Sequence, residues 1–83
     1  MNQMARTAKQ LGAEIRQQRI ARGLSQLALA DLVGTGQKTV SMIENGNPGT
    51  RIETIFALLA ALDMEMSLAP RSTGARKSVG DVF

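Results

Sequence analysis

The sequence predicts an all-α fold: a compact four-helix domain with a short strand after the last helix. Three observations predict it. The first is a spacing within residues 26–43, QLALADLVGTGQKTVSMI, where Ala30 is followed by Gly34, Val40 and Ile43. Two short helices that cross steeply need a small residue at the crossing. They need a turn residue that accepts positive φ, and apolar plugs at i and i+3 on the second helix. Ala30, Gly34 and the Val40/Ile43 pair meet these needs in order, which makes a helix-turn-helix. The second observation is the punctuation at Gly23, Gly34 and Gly46-Asn47-Pro48-Gly49, which divides the chain into helix-length pieces. The third is a change of period at Met64-Glu65-Met66-Ser67-Leu68, where apolar and polar residues alternate as in a strand.

Each element has its own local reason. Thr7 caps a first helix that runs to about Arg22, with Leu11 and Ile15 on its buried stripe, and Gly23 stops it. Ser25 caps the second helix, Gln26 to Val33. After the Gly34 break the third helix runs from Gln37 to about Asn45. Thr50 with Glu53 makes a capping box for the fourth helix, whose Ile52, Ile55, Leu58, Leu59 and Leu62 face inward. Pro70 ends the stretch at 64–68. A single strand cannot satisfy its own backbone groups, so it needs a partner. A second copy of the chain supplies one across a twofold axis, with Met64, Glu65, Met66, Ser67 and Leu68 as the dimerisation residues. Otherwise these residues extend the fourth helix or form an irregular plug.

Composition narrows the function. Eighty-three residues, 43% of them apolar, make one core, so residues 1–69 are expected to form the domain and 70–83 a flexible tail. With no cysteine and no histidine, disulfides and the usual zinc and general-base chemistry drop out. No acidic pair or phosphate loop stands in for them, so no enzyme, cofactor or metal is expected. The opening MNQMARTAKQ has no apolar signal core and the apolar run Ile55–Leu62 is too short for a membrane span, which predicts a cytoplasmic protein. Net charge is +3, with Arg6, Lys9, Arg16, Arg19 and Arg22 early and Arg71, Arg76 and Lys77 late. Such clusters are either solvated faces or polyanion contacts. At 2% aromatic content, base stacking on single strands is disfavoured, and duplex DNA read by polar side chains fits better.

The motif residues resemble a family. Leu11-Gly12, Ile15-Arg16, Arg19, Gly23-Leu24-Ser25-Gln26, Leu29-Ala30, Val33-Gly34, Val40-Ser41 and Ile43-Glu44-Asn45-Gly46 are similar to the Cro/phage-repressor (XRE-type) helix-turn-helix domain, over about residues 8–64. Within it, the small size, the Leu62–Leu68 stretch and the short tail look like HipB-type antitoxins. That resemblance implies a DNA-binding autorepressor, dimeric through its late strand, which also neutralises a HipA-type kinase toxin. Gly36 stands where the family often has a Ser or Thr cap, which leaves the start of the third helix less firmly fixed. Leu27 and Leu32 stand at commonly charged positions; they enlarge the edge of the core or contact a partner.

The third helix is expected to present its first turn to base edges. Gln37 and Lys38 lead, since Gln pairs with adenine N6/N7 and Lys donates to guanine O6/N7. Thr39, Ser41 and Met42 follow, Met42 as an apolar contact to a thymine methyl. By resemblance, Gln37, Lys38 and Met42 read bases, Gln26 bonds a phosphate and braces the helix, and Asn45 and Asn47 touch the opposite backbone strand. Gly36 belongs to the same DNA-binding set. Arg16 and Arg19 stay open between structural and phosphate roles; for Arg19 a structural link to Glu44 is favoured over a phosphate contact. In the tail, Val82 and Phe83 are the candidate partner-binding anchor, Phe83 being the only aromatic outside the fourth helix. The partners that follow are an inverted-repeat DNA operator, a second copy and a HipA-type toxin, with no membrane. A stand-alone phage or restriction-system controller without a toxin is the competing reading, and a pure interaction module a weaker one.

Overall fold

The computed structural model describes residues 5–70 of the chain. Four helices follow in order: α1 (Ala8–Ala21), α2 (Gln26–Val33), α3 (Gln37–Glu44) and α4 (Ile52–Ala61). The helix starts at Thr7 and Ser25 form as the sequence predicts. The Thr7 hydroxyl accepts from the Gln10 amide at 3.0 Å, and the Ser25 hydroxyl from the Ala28 amide at 2.9 Å. Gly34 ends α2 in the left-handed region with φ 77°. Asn45 is the C-cap of α3 rather than its last helical residue.

Ile15, Leu29, Ala30, Val40, Ile43, Leu58, Leu59 and Leu62 make the core, and Leu11, Leu24, Val33, Ile55 and Met64 pack around it. Ala30 is fully buried and Val40 and Ile43 sit against it within the same cluster, as a helix-turn-helix crossing requires. Close backbone approach fixes how α1 lies on α3. A Cβ on Gly12 would collide with the Ile43 carbonyl oxygen and stand 2.6 Å from that of Glu44. A Cβ on Gly46 would stand 2.6 Å from the Lys9 Cα. Only hydrogen at both positions lets the first turns of α1 rest on the end of α3.

Three expectations fail, each for a physical reason. The capping box at Thr50 does not form: Arg51 is the N-cap of α4, and no side chain caps it. The helix therefore starts one residue later than the Thr50-Glu53 spacing requires. Ile52 does not face inward but is 61% exposed: its spacing from Ile55 and Leu59 keeps it on their stripe, but at the first helical position it stands at the end of the helix, beyond the core. Of the two readings for Leu27 and Leu32 the core edge fails: both are exposed, on the flanks of α2 to either side of Leu29 and Ala30.

Among the described residues there is no strand, and 64–70 carry no regular secondary structure in the single chain. Residues 64–68 therefore do not extend α4. The helix stops at a reversal in which the Met64 amide donates to the Leu59 carbonyl at 2.8 Å and the Asp63 amide to Ala60 at 3.1 Å. Asp63 takes the left-handed conformation there, with φ 58°, and Met64 turns back onto the core. Arg22 donates to the Leu62 carbonyl, which ties the end of α1 to the end of α4. The anchor residues Val82 and Phe83 lie outside the described residues, as does the tail from 71 onward.

Candidate nucleic-acid interface

α3 buries Val40, Ile43 and Glu44. At 100° per residue the opposite face carries Lys38, Met42 and Asn45, with Ser41 beside them. Gly36, Gln37, Lys38, Asn45 and Asn47 are exposed, while Gln26, Thr39, Ser41 and Met42 are half-buried. The start of α3 has Gly36 as N-cap and no side-chain cap, so its first N–H groups open outward beside Lys38. No acidic residue lies in that first turn. Backbone dipole and lysine therefore present one positive end.

A hydrogen-bonded relay holds that end from within. Glu44 is only 6% exposed, and the expected link to Arg19 forms as a fork. Arg19 Nε donates to Glu44 Oε2 at 2.6 Å and a terminal nitrogen donates to Oε1 at 3.0 Å. The other terminal nitrogen donates to the Leu24 carbonyl at 2.9 Å. Gln26 Nε2 then donates to Glu44 Oε1 at 3.1 Å, and Gln37 Nε2 reaches Gln26 Oε1 at 3.4 Å. Arg19 of α1, Gln26 of α2, and Glu44 and Gln37 of α3 thus meet in one chain of contacts. A planar guanidinium and a carboxylate make this bidentate geometry, which a lysine could not.

The other flank of α3 is open. A cleft of about 450 Å³ lies between it and α4, and Thr39 and Met42 line it together with Thr35, Thr50, Arg51 and Thr54. Thr39 and Met42 are thus set between the outward face and the cleft wall, whereas Gln37 and Lys38 point to solvent. Sequence reasoning missed the cleft, because its far wall comes from an α4 start that was placed one residue early. It also missed the seat of Lys9 against Gly46, for which the glycine was the only signal. Among the described residues no group of three or more His, Cys, Asp or Glu could hold a metal, and no helix is long and apolar enough to cross a membrane.

Comparison with known proteins agrees with this geometry. The helix-turn-helix family model HTH_3 matches residues 15–68. Solved structures with the same fold include a HipB–O4 20mer complex, 30% identical, with a TM-score of 0.78 over 86% of this chain and 100% of that one. A HipA–HipB–O2–O3 complex matches with the same identity, TM-score and coverage. The restriction-modification controller protein C.AhdI from Aeromonas hydrophila is 36% identical, with a TM-score of 0.63 over 70% of this chain and 84% of that one. No curated protein sequence matches. With the crossing at Ala30, the Arg19–Glu44 fork and the family match all lying within one domain, the chain belongs to the HTH_3 helix-turn-helix family of XRE-type DNA-binding regulators.

Proposed function

We propose that this protein is a dimeric, operator-specific repressor that also serves as the antitoxin of a type II toxin–antitoxin pair, neutralising a HipA-type kinase. The observation that carries the reading is the extent of the HipB likeness. It takes in 86% of this chain and all of the other, beyond the helix-turn-helix itself. A HipA–HipB complex stands among the same matches. Lys38 and Gln37 read base edges in the major groove, with Gly36, Thr39, Ser41 and Met42 beside them. Gln26, Asn45 and Asn47 hold the phosphate backbone. Residues 64–68 pair with those of a second copy, and Val82 and Phe83 anchor the toxin. The protein acts in the cytoplasm, where its DNA lies.

The controller reading has its own support, since C.AhdI shares more identity over its shorter match. Two experiments separate the readings. Footprinting on the DNA upstream of the protein's own gene tests the repressor role. An inverted repeat with half-sites about 34 Å apart is expected, and absence of any protected site refutes it. Co-purification with the product of the neighbouring gene tests the antitoxin role. A stable complex that loses affinity when Val82 and Phe83 are deleted supports the toxin anchor. A neighbour that encodes a restriction or methylation enzyme, with no complex formed, favours the controller.

A further inference from the structure

Lys9 is seated by its backbone, and its charge is left uncommitted. A Cβ on Gly46 would stand 2.6 Å from the Lys9 Cα, 2.9 Å from its backbone nitrogen and 3.1 Å from its Cβ. Gly46 lies between Asn45 and Asn47. Adjacent Cα atoms are about 3.8 Å apart, so the Lys9 backbone is held within about 8 Å of both asparagines. Lys9, Asn45 and Asn47 are all exposed. Among the described residues the one ion pair is Arg19–Glu44, so no carboxylate there neutralises Lys9. Glu14 is the only acid of α1, and it lies about 140° round the helix from Lys9.

We propose that Lys9 clamps a DNA phosphate on the strand that Asn45 and Asn47 meet, so that α1 adds a contact of its own to the interface. The proposal rests on the DNA-binding reading above. The eight residues of α3 span about 12 Å, close to the width of the major groove, so its two ends lie near the two backbones that flank the groove. At its start Gln26 is placed for one backbone. At its end Asn45 and Asn47 offer amide donors to the other, but neither carries a charge. Lys9 supplies that charge. Its ammonium is a compact cation with three donors on a flexible stem, which suits a phosphate whose position varies with the local shape of the duplex. The close approach at Gly12 and Gly46 fixes the backbone from which the stem starts. A structural role would be different in kind: a cation beside the carbonyl end of α3 that only complements the helix dipole.

The test is titration of the footprinted operator with the full chain over a range of salt. Lys9→Gln should lower affinity about tenfold per bound copy at low salt, and by the same factor on random duplex, since a phosphate carries no sequence. The slope of log affinity against log salt should become shallower by about 0.9 per bound copy, and Lys9→Arg should restore it. A methylphosphonate scan along the half-site then locates the contact. At one position, neutralising the phosphate should cost wild type affinity and cost Lys9→Gln nothing further. Losses that add at every position overturn the clamp even where the slope has shifted, because the charge then acts only at a distance. An unchanged slope overturns it as well, and with a lower urea midpoint it leaves Lys9 as the dipole partner of α3. A wild type that protects no site fails the operator reading itself, and the clamp falls with it.

Discussion

Arg19 and Glu44 should be strongly coupled, and the structure sets the size of the effect. The Arg19 side chain is 11% exposed and that of Glu44 2%. Glu44→Leu leaves the guanidinium in the interior with the Leu24 carbonyl as its remaining acceptor, and takes a partner from Gln26. Arg19→Met leaves a buried carboxylate that one amide donor must satisfy. Each single change is expected to cost about 3–5 kcal/mol, the usual loss when one partner of a buried pair is removed. The double variant replaces both charges with apolar groups and should cost about 2–3 kcal/mol less than the two losses together. The coupling energy should then be about 2–3 kcal/mol. A domain of this size holds roughly 4–12 kcal/mol in all, so either single variant is near unfolding. Urea denaturation followed by circular dichroism, at fixed protomer concentration, reads all four states. Single losses below about 1 kcal/mol that simply add would refute the reasoning, since that is how a solvent-screened surface pair behaves.

Asp63→Gly should stabilise the fold by about 0.5–1 kcal/mol in a thermal melt, because it relieves a left-handed aspartate and removes an acid from a helix C-terminus. On the footprinted operator, Lys38→Ala should cost about 1–3 kcal/mol, and much less on random duplex; equal losses on both would mean that Lys38 touches only phosphate. Gln26→Ala should weaken specific and random DNA alike by about 1 kcal/mol in a binding titration, as loss of a backbone contact does. Gln26→Glu should be worse than alanine in both binding and urea stability, since it sets a second carboxylate beside Glu44.

The legible parts of the sequence were those fixed by local or motif chemistry. Thr7 and Ser25 cap through bonds three residues long, and Gly34 must be left-handed, so neighbouring residues determine all three. The Arg19–Glu44 link was readable because two opposite charges on otherwise buried faces need each other. Errors came where two local rules competed. Thr50 and Glu53 have capping-box spacing, but the turn through Gly49, with φ 86°, brings the chain into α4 at Arg51. Ile52 has the spacing of the buried stripe but stands at the end of the helix, beyond the core, which the period does not reveal. Leu27 and Leu32 stood open between the core edge and a partner contact, and both are exposed because Leu29 and Ala30 already fill the face of α2 that meets the core. The Gly12 and Gly46 contacts were hidden because a close approach between α1 and α3 is a tertiary fact with no period in the sequence.

The candidate recognition helix is therefore held unevenly, and the unevenness has chemical content. On the α1 side, backbone contact at Gly12 and Gly46 and the buried Arg19–Glu44 fork leave α3 little room to slide. On the α4 side, Thr39 and Met42 border a cleft instead of a packed wall. The weakest contact in the relay is the outermost, Gln37 to Gln26 at 3.4 Å, and it sits at the positive start of the helix. A base edge can take over that glutamine for the loss of one long hydrogen bond, while the buried fork keeps the helix in register. Gln26 is suited to the same division of labour. One Nε2 hydrogen is committed to Glu44, which fixes the amide plane, and the second remains free for a phosphate oxygen. Rigidity thus lies where the fold needs it, and the adjustable contacts lie where DNA would meet the protein.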